Sequence, residues 1–91
     1  MNKDYEIRIP SKFIQDRNLS FSAKVLYGEI ARFCGNTGHC HVTNATLAEL
    51  LGVSTRSITE MIKSLRQYQY IQTFNIESEY THHTMRIISL V

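Results

Sequence analysis

Short polar side chains surround one arginine in the middle of the chain, within a six-residue stretch. The polar residues are Ser54, Thr55, Ser57 and Thr59, and the arginine is Arg56. An arginine guanidinium can donate two parallel hydrogen bonds to a guanine, and serine and threonine hydroxyls can bond to several base edges. Backbone N–H groups at the start of a helix can also bind a phosphate. These residue types therefore predict contact with a polynucleotide rather than a chemical reaction.

Two helix-start patterns position this stretch. Thr43 or Asn44 can cap one helix, and Ser54, eleven residues after Thr43, can cap the next. Gly52 lies between them and suits the left-handed residue that ends a helix. A helix, a tight turn and a second helix form a helix-turn-helix, whose second helix enters the major groove of DNA.

The helix that starts at Ser54 is predicted to be amphipathic. Its inward residues are Ile58, Met61, Ile62 and Leu65, and its outward residues are Thr55, Arg56, Thr59, Glu60, Lys63 and Arg66. We expect Thr55, Arg56 and Thr59 to supply specificity. Lys63 and Arg66, and the helix start at Thr43 and Asn44, are predicted to contact phosphates. The alternative is a solvated surface with ordinary charges and caps.

Three further segments precede this motif. Residues 5–9 alternate apolar and charged, which predicts a short strand, and residues 11–18 can hold one helical turn around Phe13. Ser20 is a suitable cap for a helix over about residues 21–34. We expect the buried face of that helix to comprise Ala23, Leu26, Tyr27, Ile30, Phe33 and Cys34. Residues 39–42 are expected to be extended.

The period of the pattern changes to two after the third helix. This predicts antiparallel strands over residues 70–76 and 83–90, joined by a polar tip at 77–82. By alternation, Tyr70 and Phe74 are expected to pack between the helix and the sheet. The predicted class is α+β, with three helices, a two-stranded wing at the C-terminal side and a short strand at the N-terminal side.

Composition places the chain among ordinary globular domains. Of 91 residues, 43% are apolar and 20% are charged, with ten lysines and arginines against eight acidic residues, a net charge of +2. One domain over residues 1–91 fits this length. Neither a secretory signal nor an apolar run of about 18 residues occurs, so we expect a cytoplasmic protein without a membrane partner. Such a mildly basic balance permits nucleic-acid binding without requiring it.

Metal binding and catalysis find little support in the residues. The thiols and imidazoles of Cys34, His39, Cys40 and His41 lack the paired spacing of structural zinc sites. Because strand side chains alternate, His39 and His41 would point away from Cys40. No nucleophile has an obvious base, and the carboxylates, among them Asp16, are scattered and interpreted as solvated charges. We therefore expect no metal, no cofactor and no enzymatic activity.

Residues from every predicted helix and from the wing carry a family resemblance. They are Leu19-Ser20, Ala23-Lys24-Val25-Leu26-Tyr27, Gly38-His39-Cys40-His41-Val42-Thr43, Leu47-Ala48-Glu49-Leu50-Leu51-Gly52-Val53-Ser54, Arg56-Ser57-Ile58, Leu65, Tyr70-Ile71 and Arg86-Ile87. Over about residues 10–90 the chain resembles the winged helix-turn-helix domains near the amino terminus of plasmid and phage replication initiators and related replisome proteins. Three departures stand out. Gln69 replaces the usual glycine after the third helix, Glu60 replaces a basic residue, and the wing tip carries Glu77 and Glu79.

The resemblance implies a domain that binds double-stranded DNA during replication initiation of a plasmid or phage. A single module with a charge of +2 should bind weakly, so a homodimer or a second module is expected to complete the site. Three alternatives stay open. The domain could instead dock a replisome protein through Glu60 and the acidic wing, bind single-stranded DNA, or act as a transcriptional repressor.

Overall fold

The computed structural model describes residues 11–91, so the strand predicted over residues 5–9 lies outside the described part. The elements of that part are α1 (Ser11–Ile14), α2 (Phe21–Cys34), β1 (His39–Cys40), α3 (Asn44–Leu51), α4 (Thr55–Gln67), β2 (Ile71–Glu77) and β3 (Thr84–Leu90). The helices pack on one antiparallel sheet. This confirms the predicted α+β class and the winged helix-turn-helix arrangement.

Hydroxyl side chains start the three longer helices. In each case the side-chain oxygen accepts a hydrogen bond of 3.1 Å from the N–H three residues later. The capping residues are Ser20, Thr43 and Ser54. All three positions were predicted, and of the two candidates before α3 it is Thr43 that caps. Such a bond satisfies one of the N–H groups that a helix start leaves without a partner.

Both helices of the helix-turn-helix end in the left-handed backbone region. Gly52 does so with φ 69°, as predicted. Gln69 does so with φ 64°, although it has a side chain. After α4, Tyr70 N–H donates to the Leu65 carbonyl at 2.9 Å and Gln69 N–H donates to the Arg66 carbonyl at 3.0 Å. These bonds form a Schellman motif, which normally has glycine at the left-handed position.

The sheet has a strand that the sequence did not predict as such. Its order is β1-β3-β2, and β1 pairs with β3 through His39 opposite Ser89 and Cys40 opposite Ile88. The first two residues of the extended segment predicted over residues 39–42 therefore form the third strand. It ties the connection before α3 to the wing, so the wing is attached to the helices through β1 as well as through α4.

The buried faces of α2 and α4 agree with prediction except at two residues of α2, because Tyr27 is only partly buried and Phe33 is exposed. Ile58, Met61, Ile62 and Leu65 of α4 are all buried, and Phe33 of α2, predicted to be buried, is 45% exposed. Cys34 and Ile30 already fill the core side of that helix end, so Phe33 falls on the edge of the apolar stripe. There it lies beside α3, next to Thr46, Glu49 and Leu50.

Phe74 is a second correction, because it does not pack between helix and sheet. It is 51% exposed, whereas Ile71 of the same strand is 1% exposed. Tyr70 lies after the end of α4 and before β2, so it does not set the alternation of the strand. Side chains of a strand alternate between faces, and an assignment displaced by one residue exchanges the two faces.

A short aromatic cluster holds α1 against the rest of the fold. The ring of Phe13 lies 4.5 Å from that of Tyr27 and 4.6 Å from that of Tyr70, measured between centroids. Phe13 is 3% exposed, which confirms the predicted helical turn around it. Within residues 11–91, no helix has the length and apolarity that crossing a bilayer requires.

Candidate nucleic-acid interface

The start of α4 presents donors to solvent. Ser54 Oγ accepts from the N–H of Ser57 at 3.1 Å, and the Ser54 carbonyl accepts from Ile58. Within residues 11–91 the N–H groups of Thr55 and Arg56 have no hydrogen-bond partner. Two backbone donors at the positive end of the helix dipole are thus available to an anion.

The outward face of α4 is exposed as predicted. Its six predicted residues, Thr55, Arg56, Thr59, Glu60, Lys63 and Arg66, are all exposed. Among residues 11–91 the single ion pair joins Arg32 to Glu29, so none of the cations on α4 is paired with a described carboxylate. Arg56 is neither covered by another described element nor neutralised by a described acid. The guanidinium in the first turn of α4 is therefore available to a ligand.

Two predicted contact residues form hydrogen bonds within the protein. Asn44 Nδ2 donates to Thr59 Oγ1 at 3.2 Å, and the Thr59 hydroxyl donates to the Thr55 carbonyl at 3.1 Å. Arg86 Nη1 in turn donates to Asn44 Oδ1 at 2.7 Å. The Thr59 hydroxyl has one lone pair left and no proton to give, so it can only accept a bond from a base.

Arg86 is a residue of this surface that the residue patterns did not single out. It lies opposite Asn75 in the wing, and its Nη2 donates to the Val42 carbonyl at 2.7 Å. His41 Nδ1 lies 3.0 Å from the Arg86 carbonyl oxygen and so donates to it. One signal was present in the sequence: Arg86 is two residues before buried Ile88, which places a charge on the inward face of a strand.

A cleft separates α4 from the two strands of the wing. It has a volume of about 400 Å³ and contains the predicted contact residues Lys63 and Arg66. The full lining is Asn44, Thr59, Ile62, Lys63, Arg66, Thr73, Asn75 and Arg86. Three of these eight residues are cations and none is acidic, so the cleft is electropositive.

A family model for helix-turn-helix domains matches residues 17–71, from just before α2 to the first residue of β2. The chain belongs to the helix-turn-helix domain family. A search of curated proteins finds no match. The matched segment contains α3, the turn at Gly52 and all of α4, which are the elements that present the exposed face. The helix-turn-helix is a DNA-binding motif, so this face is the candidate DNA interface of the domain.

The wing of this helix-turn-helix domain has a stem, where its strands border the cleft beside α4, and a tip over residues 77–82. The two parts differ in charge, because the acidic residues lie at the tip. Glu77 and Glu79 are exposed at the tip, as expected from the sequence. The outer face of the strands carries exposed apolar side chains, with Phe74 opposite Ile87 and Ile76 opposite Met85. Phe74, Ile76 and Met85 are between 44% and 55% exposed. Neither feature is typical of a surface that touches phosphates.

The two cysteines form a pair between the C-terminal end of α2 and β1. Cys34 Sγ lies 3.2 Å from Cys40 Sγ, and both are free thiols. Burial, with the hydrogen bond to Cys40 second, raises the pKa of Cys34 to about 12. Within residues 11–91, no three histidine, cysteine or acidic side chains converge where a metal ion could bind.

Proposed function

We propose that this helix-turn-helix domain binds double-stranded DNA by inserting α4 into the major groove, beginning at Ser54. The observation that carries the proposal is the availability of Arg56. Its side chain is exposed and unpaired with any described acid, and its N–H and that of Thr55 lack described partners. A guanidinium at the first turn of such a helix is placed to bond a guanine edge.

Other exposed residues support the same mode of binding. Thr55 and Arg56 supply the base contacts, with Thr59 as an acceptor, and Ser57 lies beside them in the same turn. The helix starts at Ser54 and Thr43 bind phosphates of the two strands. Lys63 and Arg66, exposed further along α4, add to the non-specific affinity. This assigns binding, and no reaction, to the chain.

Gel shifts test the proposal. Wild type is compared with Arg56→Ala on duplex and on single-stranded oligonucleotides, with Arg32→Ala as the matched control because Arg32 lies on α2 in the ion pair with Glu29. Loss of a bidentate base contact worth about 1–3 kcal/mol should weaken specific duplex binding at least about fivefold. Arg32→Ala should bind like wild type. Equal binding by wild type and Arg56→Ala would overturn the proposal, and preference for the single strand would favour that alternative.

We propose further that the domain acts in replication initiation of a plasmid or phage. The support is the resemblance of residues 10–90 to such initiators. Selection from random duplexes would give the binding site, and a symmetric or repeated site would indicate a homodimer or several modules, as the net charge of +2 leads us to expect. A plasmid with that site as its origin should replicate with wild type and fail with Arg56→Ala. Repression of a reporter without replication would instead favour a transcriptional repressor.

A protein-docking role for the wing is the second candidate, and a specific observation favours it. The outer face exposes Phe74, Ile76 and Met85 beside the acidic tip, and exposed apolar patches mark contact sites between proteins. A replisome protein with an apolar, basic surface would fit there. If Phe74→Ser abolishes replication while duplex affinity is unchanged, the wing docks such a partner; if replication is unchanged, it does not.

A further inference from the structure

The cleft between α4 and the wing has the composition of an anion site. Lys63 and Arg66 approach it from the helix and Arg86 approaches it from β3, while Thr73 and Asn75 contribute uncharged polar groups from β2. An adjoining cleft of about 540 Å³ shares Lys63, Arg66 and Thr73 and is also free of acidic residues. Cations from two separate elements therefore face one space without a carboxylate among its lining residues.

Arg86 is held in a fixed position at the edge of this space. It uses one N–H on Asn44 Oδ1 and one on the Val42 carbonyl, each at 2.7 Å. A guanidinium has five N–H groups, so three remain for a ligand. Both partners are neutral, and burial lowers the pKa of Arg86 by disfavouring its charged form. An anion in the cleft would relieve that cost, which neither of these partners can do.

We propose that this cleft seats a backbone phosphate of the bound duplex, with Arg86 as its fixed donor and Lys63 and Arg66 as its mobile cations. The inference rests on the proposed duplex binding and adds a contact that the face of α4 alone does not provide. A phosphate oxygen accepts charge-assisted hydrogen bonds, for which a fixed arginine fork is well suited. The DNA strand leaving the major groove next to α4 then passes over the stem of the wing.

The charge of the wing explains why the stem makes this contact and the tip does not. Asn75 borders the cleft, and Glu77 lies two residues further along the same strand, about 7 Å away. Glu77 and Glu79 are exposed at the tip and repel phosphate. The backbone is thus attracted at the stem and repelled at the tip, which fixes the position of the strand along the wing.

The substitution Asn75→Asp tests the proposal. The new carboxylate would stand directly opposite Arg86 in the strand pair and would offset one of the three positive charges of the cleft. Asn36→Asp is the matched control, because it makes the same change at an exposed turn residue that does not line the cleft. We expect Asn75→Asp to weaken duplex binding about fivefold or more and to reduce the slope of log K against log salt by about one. Asn36→Asp should leave both quantities close to wild type.

The form of the loss distinguishes a phosphate contact from a base contact. Asn75→Asp should weaken binding to the selected site and to unrelated duplexes by the same factor, whereas Arg56→Ala should weaken binding to the selected site more. If Asn75→Asp behaves like Asn36→Asp while Arg56→Ala still loses specific binding, the cleft holds no phosphate and the proposed function stands. If wild type does not bind duplex DNA, the proposed function itself fails and the inference fails with it.

A second variant keeps the test valid if the first variant is destabilised. Thermal melting of Asn75→Asp is measured first, and if its melting temperature falls, Arg66→Gln replaces it, because the Arg66 side chain is exposed at the rim and its guanidinium has no described hydrogen-bond partner. Arg66→Gln should also lower the salt slope by about one. An unchanged slope in a folded variant would overturn the proposal.

Discussion

The Tyr70 hydroxyl donates a hydrogen bond of 2.6 Å to Asp16, 54 residues earlier in the chain. Asp16 also accepts from the N–H of Asn18 at 2.9 Å. The bond joins the segment after α1 to the end of α4, next to the aromatic contact between Phe13 and Tyr70. Asp16 was interpreted from the sequence as a solvated charge, and the structure shows that its carboxylate has a tertiary role. It helps to fix the C-terminal end of the helix that presents the candidate DNA interface.

This bond predicts a pH dependence of stability with two limits. The hydrogen bond from Tyr70, and then that from Asn18, lowers the pKa of Asp16 below its ordinary 3.8. The unfolded state therefore binds the proton more readily, and the contribution of Asp16 is present above pH 3.8 and lost as pH falls through the lowered value. The bond to Asp16, and then burial, raises the pKa of Tyr70 above 10.0. Its contribution is complete below pH 10.0 and lost as pH rises through the raised value.

The variant Tyr70→Phe tests this dependence by urea denaturation at a series of pH values. It should be less stable than wild type across the neutral range, and the difference should shrink on the acid side as Asp16 becomes protonated. Asp16→Asn should show the same acid-side convergence. Tyr68→Phe is the control, because Tyr68 lies beside the same helix end and makes no described hydrogen bond through its hydroxyl. A constant difference between Tyr70→Phe and wild type from neutral to acid pH would contradict the assignment.

The two faces of β2 predict unequal costs of truncation. Ile71→Ala removes a side chain that is 1% exposed and should lower the free energy of unfolding by about 2–5 kcal/mol. Phe74→Ala removes a larger side chain that is 51% exposed and should cost less than about 1 kcal/mol. Chemical denaturation measures both. A cost for Phe74→Ala equal to that of Ile71→Ala would mean that Phe74 is covered in solution.

The local pattern of the sequence was sufficient to predict the helix-turn-helix. Ser54 and Gly52 act through groups within a few residues of themselves, so capping and the end of α3 follow from chain-local chemistry. The inward stripe of α4 follows from helical period alone, and all four of its residues are buried. For the same reason the outward face, including Arg56, was predictable in position. Its contacts with DNA remain predictions.

The features that could not be predicted from the sequence are contacts between residues far apart in the chain. The pairing of Cys40 with Ile88 joins residues 48 positions apart, and nothing near Cys40 shows that a strand will lie beside it. Arg86 and Asn44 meet in the same way, 42 residues apart. Local periodicity cannot supply such non-local pairings. The face of Phe74 was wrong for a different reason: the predicted alternation included Tyr70, which precedes β2, whereas the strand starts at buried Ile71, and a shift of one residue exchanges the two faces.

The left-handed conformation of Gln69 predicts a stabilising substitution. A side chain at φ 64° carries a steric cost that glycine avoids, so Gln69→Gly should raise the free energy of unfolding by up to about 1 kcal/mol. Gln72→Gly is the matched control. The same exchange within β2 should lower stability by about 0.5–1 kcal/mol, because the extended backbone gains nothing from glycine. Thermal melting of both variants measures the two signs, and a loss of stability in Gln69→Gly would show that the helix end is not strained.

The cysteine pair predicts a sharp difference in thiol reactivity between the folded and unfolded chain. Cys34 is 3% exposed, and burial raises its pKa to about 12, so almost no thiolate is present at pH 8. A disulfide reagent should therefore label Cys34 in the Cys40→Ser variant only as fast as the protein unfolds. In denaturant the labelling should be immediate. Rapid labelling of the folded variant would show that the end of α2 opens locally.

Ser54 has two roles that a single substitution can separate. Aspartate caps a helix as well as serine does and favours the positive end of the dipole, so Ser54→Asp should change the free energy of unfolding by less than about 0.5 kcal/mol. The added charge would lie where a phosphate is proposed to bind, and duplex affinity should fall at least about tenfold. Ser20→Asp is the matched control, because Ser20 caps α2 in the same way and lies outside the proposed interface. Titration of duplex DNA with each variant, after melting curves have shown both to be folded, measures the difference. Because the two caps have the same geometry, equal duplex affinity of the two variants would mean that the start of α4 does not approach DNA.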